Sequence, residues 1–118
     1  KDSFRFSKAG ANQVIISSKK QWAVINNLNN TEKELEYLLE ETANSDIIIV
    51  EGWKHSNLKK IEIYREKIDK DFLHIKDKNI VAIALEDINI RIKKPIQKLN
   101  LNDHFSIADF IVKNKFNI

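Results

Sequence analysis

Two short apolar runs constrain this chain more than any other feature: "DIIIV" at 46–50 and "IVAIAL" at 80–85. A run with no polar residue on either face suits a strand covered on both sides, as in a parallel sheet. The runs "QVIIS" (13–17) and "QWAVIN" (21–26) flank a short polar link and read as two further strands. "KIEIYR" (60–65) alternates instead, with Ile61, Ile63 and Arg65 pointing one way and Glu62 and Tyr64 the other, a strand with one wetter face. "FLHI" (72–75) reads as a short strand or an irregular segment, and "KDKN" after it as a turn.

Helical signals fall between these runs. Asp2 can cap a short helix over "SFRFSKA", and Gly10 ends it, since glycine accepts the left-handed conformation that follows helices. Thr31 and Glu34 have capping-box spacing before Leu35, Leu38, Leu39 and Thr42. The chain closes with a helix capped by Asn102 or Asp103, with Ile107, Ala108, Ile111 and Val112 as its apolar stripe. Trp22, Phe72, Phe105 and Phe110 are expected in the core. Pro95, the single proline, breaks the chain after "RIKK". The order of elements predicts one α/β domain over 1–118 with a largely parallel central sheet.

Composition narrows the function classes. With 118 residues the chain can bury a real core. No apolar run approaches the roughly 20 residues that span a bilayer, so no membrane partner is expected. Cysteine is absent, which excludes disulfides and thiolate metal ligands and fits a reducing, cytoplasmic setting. His55, His74 and His104 lie too far apart in sequence for a zinc motif. A net charge of +3 is a weak argument for a polyanion, and the basic stretches "KHSNLKK" and "IRIKK" read as solvated charge, so no nucleic-acid partner is expected. Neither a P-loop nor a G-x-G-x-x-G fingerprint is present, since Gly10 and Gly52 are the only glycines.

The junction at Glu51-Gly52 carries the chemistry. In open α/β sheets, ligands sit beyond the carboxyl ends of strands. A carboxylate there can hold Mg²⁺ or orient a water, and Gly52 lets the backbone turn tightly. The same two residues also suit a plain strand end and turn.

"DIIIVEGWKHSNLKKIEIYR" resembles the "D-hhh-V-E-G-F-K … K-I-E-h-h-R" segment (h, apolar) of the molybdopterin-guanine dinucleotide biosynthesis protein B family, MobB. "KDSFRFSKAGANQVIIS" is similar to that family's "G-K-D-S-Y-R-…-A-G-A" segment, and "IVAIALED" and "LNLNDHFSIADFI" to its late strand and closing helix. Trp53 stands where the family usually has phenylalanine, and His55 is an extra imidazole.

The resemblance implies a three-layer, P-loop NTPase-like GTP-binding fold that assists a guanylyltransferase of the MobA type, with hydrolysis slow and secondary. It implies a homodimer, and GTP and Mg²⁺ as cofactors. The family's phosphate loop lies upstream of the segment on which this chain opens. The expected chain is therefore a C-terminal portion lacking the first strand and P-loop, which agrees with the absence of methionine.

By position in the motif, Glu51 is implied as the Mg²⁺ acid and Gly52 as the glycine after it. Lys54 and Arg65 are implied to meet anionic groups. Asp2, Ser3 and Arg5 are implied to border nucleotide or pterin. Glu86 and Asp87 could accept the N1 and N2 protons of guanine. An interaction module without its own nucleotide site is the alternative, with "KIEIYR" and orphaned sheet edges pairing with another subunit.

Overall fold

The computed structural model describes residues 2–42, 44–65 and 71–114. The chain forms two compact units, Lys1–Val50 and Glu51–Ile118.

In the first unit, helix α1 (Asp2–Lys8) runs into Gly10, whose φ of 97° ends it as the sequence predicts. Strands β1 (Gln13–Ser17) and β2 (Trp22–Asn26) form an antiparallel hairpin in which Ser17 faces Trp22 and Gln13 faces Asn26. Ser18 closes its turn by donating its N–H to the Gln21 carbonyl at 2.9 Å. Only Val14 of the hairpin is buried. Trp22, expected in the core, is 72% exposed.

Helix α2 (Leu35–Glu40) starts later than the capping box predicts. Glu34 is its N-cap and makes no side-chain cap bond, while the Thr31 hydroxyl donates to the Asn29 carbonyl at 3.4 Å. Burial of Leu35 fixes the helix start. The strand expected over 46–50 is also corrected: it joins no ladder among the described residues. Ile49 is 79% exposed. An apolar run becomes a doubly covered strand only when strands lie beside it, and none of the described strands does so here.

The second unit holds a three-stranded sheet in the order β3 (Lys60–Tyr64), β4 (Ile80–Leu85), β5 (Gln97–Asn100), parallel throughout. Together with the hairpin this gives the α/β class with a parallel sheet that the sequence predicts. Central β4 has neighbours on both edges, and Ala82, Ile83, Ala84 and Leu85 are all fully buried. On one face, Ala82, Ala84 and Leu99 pack with Ile61, Leu101 and two residues of helix α3 (His104–Lys113), Ile107 and Phe110. Ala108 and Val112, expected on the apolar stripe, are exposed, and Phe105 is 90% exposed.

The other face of β3 departs most from its sequence reading. Glu62 is buried opposite Ile83, and the wetter side is the one that carries Ile63, 56% exposed. "FLHI" is a 3-10 turn, Leu73–Ile75, which carries His74 inward. Among the described residues, no helix is long and apolar enough to cross a membrane.

Candidate functional site

Because β3, β4 and β5 run the same way, their carboxyl ends form one rim. Tyr64 pairs with Leu85, and Leu85 with Asn100. The residues that follow, Arg65 on one strand and Glu86 on the next, therefore leave the sheet side by side. Both are exposed, and neither side chain meets a described partner. The Leu85 carbonyl accepts the Leu101 N–H at 2.8 Å, which ties the ends of β4 and β5 together. This rim unites a guanidinium and a free carboxylate where open parallel sheets bind ligands.

The other acids of the rim are used locally. Asp87 Oδ1 accepts the Asn89 N–H at 2.8 Å and the Asn89 Nδ2 at 3.0 Å, and the Asp87 carbonyl accepts the Ile90 N–H at 3.3 Å. Asp103 caps α3: its Oδ1 accepts the Ser106 N–H at 3.1 Å, and its Oδ2 accepts the Ser106 hydroxyl at 2.6 Å. The Ser106 hydroxyl, with the amide behind it, holds the Asp103 carboxyl below its ordinary range.

Glu51, Gly52 and Lys54 lie elsewhere in the unit, on the loop that enters β3 at its amino end. Gly52 has φ 86°, so a side chain there would be strained, although a Cβ would meet nothing within 4 Å. Ser56 turns the loop by donating its N–H to the Trp53 carbonyl at 3.0 Å. Glu51 and Lys54 are exposed. Since 46–50 forms no ladder among the described residues, Glu51 does not stand at the carboxyl end of a described strand. Asp2 and Arg5 belong to the first unit, one turn apart on α1, with Arg5 Nη1 4.0 Å from Asp2 Oδ1. Ser3 beside them is half-buried.

Two buried or half-buried polar fastenings escaped the sequence reading. The Glu62 carboxylate accepts the backbone N–H of Leu73 at 2.7 Å and of His74 at 3.0 Å, and lies 2.9 Å from His74 Nδ1. With two amides already donating to the carboxylate, Nδ1 completes the set as a third donor. His74 Nε2 is buried with no partner among the described residues. Phe72 lies between Tyr64 and the His74 ring, at centroid distances of 4.6 and 5.4 Å. The signal that could have found this pair is an acid within an apolar strand together with a histidine inside "FLHI".

The second fastening is at the amino rim, where Lys60 Nζ meets Asp77 Oδ2 at 3.0 Å and also donates to the Ser56 carbonyl. The Asn79 amide, and then Lys60, hold the Asp77 carboxyl below its ordinary range. Among the described residues, no three His, Cys, Asp or Glu side chains converge as a metal cage.

Comparison with known proteins identifies the family. The family model described as "Molybdopterin guanine dinucleotide synthesis protein B" matches residues 1–86. A molybdopterin-guanine dinucleotide biosynthesis adapter protein of Escherichia coli is 31% identical over 117 residues, covering 96% of this chain and 65% of its own length. The adapter protein of the same description from Haemophilus influenzae is 32% identical over 115 residues, covering 94% of this chain and 61% of its own. The chain thus spans somewhat under two thirds of the length of these curated relatives. A family match over most of the chain, joined to a parallel α/β sheet, places the chain in the molybdopterin-guanine dinucleotide synthesis protein B family.

Proposed function

We propose that the chain is the C-terminal portion of a single GTP-binding domain that serves molybdopterin guanine dinucleotide synthesis as an adapter to a MobA-type guanylyltransferase. The supporting observation is the carboxyl rim of the parallel sheet, where Arg65 and Glu86 emerge beside each other. In this reading Arg65 meets phosphate, and Glu86 with Asp87 accepts the base N–H groups.

Mg²⁺ commonly takes one or two protein carboxylates and fills its remaining positions with phosphate oxygens and water. Glu51 is exposed and unpaired among the described residues, so a single carboxylate of the right kind is available. An ion held by Glu51 would lie on the loop that enters β3, apart from the carboxyl rim where Arg65 and Glu86 emerge. Gly52, in its left-handed conformation, leaves the backbone beside Glu51 open to a ligand. The phosphate cradle itself requires a glycine-rich loop that this sequence does not contain.

Calorimetry with GTP and Mg²⁺ tests the reading. The 118-residue chain is expected to bind weakly or not at all. Binding is expected once the family's P-loop segment precedes residue 1. Micromolar affinity in the 118-residue chain alone would overturn the assignment of the phosphate site to that segment.

The hairpin favours a second reading that can coexist with the first, a homodimer. Ile15 and Trp22 are 64% and 72% exposed, and Ile16, Val24 and Ile25 are exposed on the same two strands. Apolar side chains exposed on both faces of one hairpin mark an association surface. Sedimentation equilibrium is expected to show a dimer that Trp22→Ser weakens. A strictly monomeric chain at high micromolar concentration would exclude this reading.

A further inference from the structure

We infer that Lys98 is a positioning residue: its ammonium fastens the turn after β4 so that Glu86 alone stands free as the acid that reads the base. The inference rests on the nucleotide reading above and assigns separate tasks to residues which that reading leaves together.

The connection from β4 to β5 spans residues 86–96 without a helix or strand. Its backbone carbonyls are not paired in a ladder, so they take donors from side chains or water. Lys98 supplies a donor to two of them. It is half-buried on β5 opposite Ile83, and its Nζ donates to the Ile88 carbonyl at 2.9 Å and the Ile90 carbonyl at 2.6 Å. From within the turn, Asp87 fixes Asn89 and Ile90. At the far end of the connection, Lys94 Nζ donates to the His74 carbonyl at 3.3 Å.

Glu86 is thereby held from both sides. Leu85 before it is fully buried and tied to Leu101, and the turn after it is fastened to β5. Asp87 has committed one carboxylate oxygen to Asn89, whereas the Glu86 carboxylate has no described partner. A guanine presents N1 and N2 protons to a single carboxylate, and adenine does not. A fixed Glu86 separates the two bases, and a loosened one loses the geometry on which the choice depends.

The test uses the full gene product, with Kd for GTP and for ATP measured by calorimetry in Mg²⁺. Lys98→Met removes the ammonium and keeps the length of the side chain. It is expected to reduce the GTP-over-ATP preference at least about tenfold, the scale of one hydrogen bond to a charged group, while leaving ATP affinity unchanged. Lys98→Arg, whose fork can reach both carbonyls, is expected to restore the preference. If Lys98→Met does not fold, Lys98→Gln, whose shorter side chain cannot reach both carbonyls, is expected to lower the preference likewise.

A normal preference in folded Lys98→Met, or in Lys98→Gln where Lys98→Met fails to fold, overturns the inference. If Glu86→Gln abolishes the preference in the same series, the base-reading role of Glu86 survives that result. A wild-type protein without preference overturns both.

Discussion

The second unit uses carboxylates in two ways, and the contrast explains how its sheet is held. Glu62 lies inside, 6% exposed, and its bonds reach 11 and 12 residues along the chain to Leu73 and His74. Asp77, Asp87 and Asp103 lie at the rims and bond within two or three residues of themselves. The interior acid fastens the described part of the crossover, the turn Leu73–Ile75, to β3. The rim acids shape single turns, a task that aspartate performs well because its short side chain reaches nearby backbone N–H groups. Lys60 joins the two systems, since its bond to Asp77 spans 17 residues and anchors the same crossover at the amino rim.

Removing the interior acid tests this contrast most severely. Glu62→Ala would strand two backbone N–H groups and the His74 ring in a buried site, at a cost of about 3–5 kcal/mol. The loss is expected in the urea midpoint of the second unit, with faster amide exchange at Leu73 and His74. A cost under about 1 kcal/mol is what an exposed pair contributes, and it would erase the distinction between interior and rim.

The same contrast shows what the sequence could reveal. Runs of apolar residues located β1, β2 and β4, and the strand end at Leu85 placed Glu86 at a rim. Residue type also located α3 and its cap, since Asp103 sits just before the helix begins. Burial was less legible. Periodicity shows which side chains could be covered, but not whether a neighbour is present, so Trp22 and Phe105 proved exposed and 46–50 joined no described ladder. Strand β5, "QKLN", has a single apolar residue, Leu99, and exists because β4 offers it an edge. Glu62 with His74, and Lys98 with its two carbonyls, are tertiary contacts. Nothing in local propensity distinguishes such an acid or lysine from a solvated one.

The smallest expected effect concerns a rim acid and separates turn shape from charge. The Asp103 carboxyl is held below its ordinary range by the Ser106 hydroxyl and amide. A depressed pKa contributes stability that is fully present above the unfolded value, near pH 4, and is lost as pH falls through the folded value. Asn at this position still accepts a bond from the helix amides but takes up no proton. Asp103→Asn is therefore expected to leave stability at neutral pH almost unchanged and to flatten its decline below about pH 4, read as urea midpoints across that range. Asp77, lowered by Asn79 and Lys60, continues to titrate in the variant, so part of the decline persists. Superimposable acid curves for the two proteins would mean that the cap acts through geometry alone, leaving Asp103 no electrostatic share in holding the start of α3.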